Sequence, residues 1–242
     1  MRLLGGAGLL AVLAACSSSR KTLPSSTTTT TGSASSTTTR IPEEIAGPYP
    51  GDGSNGPDAL TADGVVRRDI TRSFGSASGV AEGVPTTIKL ALSRDGVPLS
   101  GAAVYAWHCD REGRYSMYSP GVEDQNYLRG VQPANADGVV EFASIFPACY
   151  SGRWPHIHFE VYSSVADATG GGSPIVTSQI ALPADVCNAA YATPGYEQSV
   201  QNLSEVSLDG DMVFGDDGGV HELATVTGDA SSSYVVALTV PV

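Results

Sequence analysis

Residues 150–162 read YSGRWPHIHFEVY, and the last seven of them decide the fold. HIHFEVY is a short run of β-branched and aromatic residues between Pro155 and a Ser pair, with no helical stripe, and it reads as a strand. Side chains alternate faces along a strand, so His156 and His158 point the same way, about 7 Å apart. Two imidazoles at that spacing can grip one ion. A lone His-x-His pair is more often only a hydrogen-bonded strand face, so the surroundings must decide.

Outward from this strand the chain repeats the same texture. Short runs rich in β-branched residues at 65–70, 86–93, 102–109, 138–144, 175–182, 222–228 and 234–240 are separated by Gly, Pro, Asp and Ser clusters. A short helix near 184–201 is the one helical expectation. The class is all-β, a sandwich or barrel. HIHFEVY and IVTSQIAL (175–182) are joined by the turn-rich SSVADATGGGSP, which predicts a hairpin. A symmetric loop sets His158 opposite Gln179 and brings Cys149 near Cys187.

The chain has 242 residues, and its beginning has a different character. MRLLGGAGLLAVLAAC carries one basic residue and an apolar run too short to span a bilayer, ending in small residues before Cys16. This resembles a bacterial lipoprotein leader, residues 1–15, cleaved before a lipid-bearing Cys16. The Ser/Thr-rich stretch to residue 45 has too little apolar surface to fold and reads as a tether. Residues 46–242 form one domain, expected to be exported and held on the outer face of a bacterial membrane by that lipid alone. Cys16→Ser should release the protein from the membrane fraction or block its processing; unchanged attachment with normal cleavage would refute the anchor. The formal net charge is −12 and no basic run is present, which argues against nucleic-acid binding.

Two tyrosines change the reading of the histidines. Tyr150 precedes them in PACYSGRWPHIH, and Tyr115 lies in WHCDREGRYS. Phenolate is a hard anionic ligand, and Fe(III) is the common biological ion acidic enough to ionise tyrosine near neutral pH. A carboxylate set for Fe(II) and a cysteine cluster for structural zinc are both missing. A copper or zinc site that uses only the two histidines would leave the tyrosines as core residues.

The chain resembles the intradiol ring-cleavage dioxygenases. The likeness rests on GPY at 47–49, VRRDI at 66–70, WHCDREGRYS at 107–116 and NYLRGVQ at 126–132. It continues through DGVVEFASIFPACYSGRWPHIHFEV at 137–161 and TSQIAL at 177–182. The resemblance implies a β-sandwich with short helices and long loops. It implies non-haem Fe(III) held by Tyr115, Tyr150, His156 and His158, an active-site Arg153 supported by Gln179, and substrate contacts from Trp107 and Tyr49. The implied reaction joins a catechol-type diol to O2 and breaks the ring between the two hydroxyl carbons, giving a muconate-type diacid. In it Tyr150 leaves the metal as the diol binds and accepts a proton. The sequence departs from the family at Pro147-Ala148-Cys149-Tyr150, where a glycine is common, and in a shorter Tyr150–His156 segment. It also lacks the helical dimerisation region of the catechol enzymes, so a monomer is expected. The rival reading is a non-catalytic extracellular module that binds metal or aromatics.

His108 reads as a packing or supporting residue and His221 as a solvated turn. Asp209, Asp211, Asp216 and Asp217 read as a solvated acidic loop, since their spacing fits no calcium loop. The hairpin register favours a Cys149–Cys187 disulfide with Cys109 left as a buried thiol; three reduced, buried cysteines are the alternative.

Overall fold

A computed structural model describes residues 39–242. The leader, Cys16 and most of the tether lie outside the described residues. The HIHFEVY segment is a strand over its full length, His156–Tyr162. It pairs antiparallel with Val176–Ala181 in the expected register, His158 opposite Gln179. On its other side it pairs with Ala103–Trp107, which in turn pairs with Arg129–Pro133. In chain order these strands are β3 (Ala103–Trp107), β4 (Arg129–Pro133), β6 (His156–Tyr162) and β7 (Val176–Ala181), and they lie in the order β4-β3-β6-β7. The β6–β7 loop contains a one-turn helix, α1 (Val165–Thr169), capped at Ser164, whose hydroxyl accepts from the Asp167 N–H.

The second sheet is built on β1 (Pro85–Arg94), which pairs with β2 (Val97–Pro98) and β5 (Val139–Ile145) on one side. On its other side runs β9 (Ser233–Pro241), parallel to it, followed by β8 (Thr225–Asp229). Strict alternation along β1 turns Ile88, Leu90 and Leu92 inward. They share one apolar core with Phe142 of β5, Val236 of β9, Val104 of β3 and Ile157, Phe159 and Val161 of β6. Both sheets thus feed a single core, and β6, buried on both faces, keeps its histidine face for the other side.

The 65–70 run is not a strand. It makes single bridges, Val66 to Val131 and Asp69 to Ala143, and so ties β4 of one sheet to β5 of the other. Its arginines interrupt the apolar pattern, and Arg67 donates to the carbonyls of Arg129 and Asn126. Strand β4 escaped notice because Gly130 and Pro133 look like turn residues; it sits at the sheet edge, where proline is tolerated. The helical tail is two helices, α2 (Ala184–Tyr191) and α3 (Glu197–Ser204). The tether boundary at residue 45 also moves. Ile41 is 2% exposed within the core, and the Glu44 N–H donates to Thr177 O, so the fold reaches back at least to Ile41.

The expected Cys149–Cys187 bridge is absent: Cys109, Cys149 and Cys187 are all buried free thiols. The ladder that motivated the pairing stops at His156 and Ala181. Beyond it Cys187 rides on α2, and the register no longer governs where it points. Burial pushes the Cys149 thiol up to about 12, with the Asp211 charge adding to it.

Candidate metal centre

Parity along the strands builds the site. With Ile157, Phe159 and Val161 in the shared core, His156 and His158 project from the opposite face. The ladder sets Trp107, His158 and Gln179 in one row across β3, β6 and β7. Trp107 stacks on the His158 ring, centroids 4.9 Å apart and planes within 3°. Trp107 is fully buried and backs the histidine.

The two tyrosines arrive on loops. Tyr115 follows β3 in a turn organised by Asp110, whose carboxylate accepts from the Glu112 and Arg114 N–H groups, the Arg114 guanidinium and the Tyr127 hydroxyl. Tyr150 lies between β5 and β6, and the tail helices hold that loop. Tyr191 donates to Pro147 O, Tyr196 to Phe146 O and Asn202 to Cys149 O, while Ser199 Oγ accepts from the Cys149 N–H. The loops meet at Gly113, where φ is +82° and an added Cβ would lie 3.1 Å from Tyr150 Cβ.

The four side chains converge. Tyr115 and Tyr150 hydroxyls are 3.4 Å apart, Tyr150 Oη is 3.1 Å from His156 Nε2, and the two Nε2 atoms are 3.1 Å apart. His156 Nδ1 donates to Trp154 O at 2.5 Å, which leaves Nε2 as a lone pair facing the cluster. His158 Nδ1 is buried without a partner. Burial, followed by the Arg153 charge, pulls His156 down to about 3. Burial, then His156 and Arg153, puts His158 well below its usual value. Burial pushes Tyr150 up to about 12 and Tyr115 well above the usual phenol. Neutral imidazoles and phenols that ionise only beside a strong Lewis acid are the donor set a ferric ion takes. Among the described residues no group of three or more His, Cys, Asp or Glu could hold a metal; the two imidazoles and two phenols are the donor atoms gathered at this point.

Arg153, 8% exposed, lies beside the cluster, with Nη1 3.5 Å from His156 Nε2. Its Nη2 donates to Gln179 Oε1 at 2.8 Å, the contact expected from the sequence. Gln179 in turn donates to Ile45 O, so the segment from Ile45 to Tyr49 runs beside the site. There Gly47, at φ +73°, passes so close that a Cβ would sit 3.2 Å from His158 Cε1. Arg129 is buried and donates to Tyr49 O and Pro50 O. That fixes Tyr49, 36% exposed, with its ring 4.9 Å from that of Tyr115.

His108 is a packing residue. Its Nδ1 donates to Cys109 O and its Nε2 accepts from Ser144 of β5, on the far side from Trp107. Asp211 overturns the expectation of a solvated loop. It is 6% exposed and accepts from Arg153 Nε at 2.9 Å and from the Trp154 N–H at 2.7 Å. An aspartate in a Gly/Asp-rich stretch carries no signal of such burial.

A family model described as Dioxygenase matches residues 75–155, which include Tyr115, Tyr150 and Arg153 and stop one residue short of His156. The chlorocatechol 1,2-dioxygenase of Rhodococcus opacus is 31% identical over 141 residues, 48% of this chain. The chain spans about half (50%) of that relative's length. Among solved structures, an intradiol ring-cleavage dioxygenase from Tetranychus urticae superposes with a TM-score of 0.65 at 24% identity, over 84% of this chain and 94% of that one. The dioxygenase domain of a carbohydrate-binding fusion from Streptomyces sp. SirexAA-E gives 0.52 at 20%, over 84% and 98%. At these identities the two structures speak for the fold alone.

Proposed function

We infer, from a chain related in sequence and in fold to the intradiol ring-cleavage dioxygenases, that it is an Fe(III) enzyme of that kind, acting on catechol-type diols with O2. The observation that carries the reading is the meeting of two phenols and two imidazoles at one buried point, with a guanidinium beside them. A module that only captured metal or aromatics would not need Arg153. The exported, lipid-anchored location rests on the leader sequence and is proposed with it, as is the sandwich reading of the two sheets.

Tyr115, Tyr150, His156 and His158 would hold the ion. When bound, Fe(III) would supply Lewis-acid chemistry, lowering the electron density of the diol so that its ring becomes open to O2. The chain's own groups do the rest. The oxygen of Tyr150, on a partly exposed loop, would be a phenolate with the ion in place and would take a proton from the diol, becoming a neutral phenol. Tyr115, 2% exposed, stays in place. The Arg153 guanidinium steadies negative charge that develops on the ring oxygens in a water-poor site. Tyr49 would offer the ring an aromatic wall, and Trp107 and Gly47 both pack against His158. The product is a muconate-type diacid.

Colour tests the ligand set. Tyrosinate-to-Fe(III) charge transfer absorbs visible light, so the iron-loaded protein is expected to be red to brown and to consume O2 with at least one of catechol, 3,4-dihydroxybenzoate and benzene-1,2,4-triol. A colourless protein with stoichiometric iron rules out tyrosinate ligation. A coloured protein inert to all three diols favours the binding module.

A further inference from the structure

We propose that Asp211 is the positioning residue that fixes Arg153 over the donor cluster, an inference that rests on the diol-cleaving reading of the same site. Arg153 and Asp211 are 58 positions apart in the chain, yet they meet through two hydrogen bonds, Nε to Oδ2 at 2.9 Å and Nη2 to Oδ1 at 3.2 Å. The aspartate side chain is wholly buried and that of the arginine is 10% exposed. A forked contact of this kind holds the plane of the guanidinium as well as its position. With Nη2 also given to Gln179, the N–H groups of Nε and Nη2 are all engaged. Nη1 alone is left, and it is the nitrogen that lies 3.5 Å from His156 Nε2. The pairing thus aims one end of the guanidinium at the place where a bound diol would react.

Asp211 is itself anchored. It accepts from the N–H groups of Trp154, Val213 and Phe214 at 2.7, 2.9 and 3.3 Å. It therefore clamps the backbone next to Arg153 together with the side chain, and it ties the tail of the domain to the loop before β6. Gln179 is neutral. Asp211 is the partner whose charge compensates the guanidinium's removal from water. Phe214, three residues on, lies under the same guanidinium, 6.0 Å from its carbon.

A residue that acts through another is recognised by non-additivity. Asp211→Asn keeps the size and one acceptor oxygen for Val213 and Phe214 but removes the charge. In the iron-loaded protein it is expected to lower kcat about a hundredfold, the scale of a displaced reactive group, with KM for the best diol changed less than about threefold. Arg153→Ala should lose a similar factor, and the double variant no more than Arg153→Ala alone. Losses that multiply, or an Asp211→Asn protein with full kcat, overturn the proposal. A lower melting temperature with unchanged kcat per bound iron makes Asp211 a structural brace only and also overturns it. Thermal unfolding of the same four proteins reads the pair without turnover. If the parent oxidises no diol, the reading of the function fails. The proposed hold on Arg153 then stands if the melting shifts are non-additive and falls if they add.

Discussion

His158→Ala is expected to strip the protein of iron. The Nε2 of His158 is one of four donor atoms gathered within 3.1–3.4 Å of their neighbours, and among the described residues no group of three or more His, Cys, Asp or Glu is placed to hold a metal instead. The ring is also the surface on which Trp107 stacks, so its removal opens a gap between Trp107 and Gly47 as well as a coordination position. Supporting partners of a metal ligand alone cost about 10- to 100-fold in affinity; a lost ligand should exceed that. Iron per protein after desalting should therefore fall far below the parent's, with the colour and oxygen uptake. Arg153→Ala, which leaves all four donors in place, should keep its iron and lose turnover. A His158→Ala protein that retains stoichiometric iron would remove His158 from the ligand set and with it the four-donor site.

Much of this arrangement is legible in the sequence because strands impose parity. One register, set by a turn-rich loop, carries His158 opposite Gln179, and the alternation in HIHFEVY separates ligands from core without any knowledge of the partner strands. Where a position depends on groups distant in the chain, the pattern is silent. Asp211 looks like any aspartate in a polar loop until it meets a guanidinium 58 residues away. The hydrogen bonds by which α2 and α3 hold the Tyr150 loop come from Tyr191, Tyr196, Ser199 and Asn202, residue types that occur on any helix surface. Strand β4 is hidden by Gly130 and Pro133, whose local preference is overridden by the sheet edge they occupy. The disulfide expectation fails for the complementary reason: it extends a valid register past Ala181, where the chain turns into a helix.

Tyr150→Phe should uncouple iron binding from turnover. The two tyrosines share a chemistry but not a setting. Tyr115 is 2% exposed and held in the Asp110 turn, whereas Tyr150 is partly exposed on a loop whose anchors are backbone groups at 146–149. Its ring meets Tyr115 and His156 edge-on, with centroids 5.8 and 5.5 Å away, and phenylalanine preserves both contacts. What the substitution removes is one oxygen. Iron should remain on Tyr115, His156 and His158, and the charge-transfer band should persist, shifted, because one tyrosinate is left. Turnover should fall by about 100-fold or more, the usual contribution of a positioned base. The reason lies in the setting of that oxygen. Burial raises Tyr150 to about 12 where it stands, above an ordinary phenol near 10, and on the proposed reading a phenolate released there would take a proton from an incoming diol. Stopped-flow binding of catechol in the absence of O2 should show slowed association in Tyr150→Phe, and Tyr115→Phe should instead bleach the band more strongly. If Tyr150→Phe turns over at the parent's rate, Tyr150 is a packing residue and the four-donor reading fails. If it loses iron as completely as His158→Ala, Tyr150 is a fixed anchor, and the proton must leave the diol by another route.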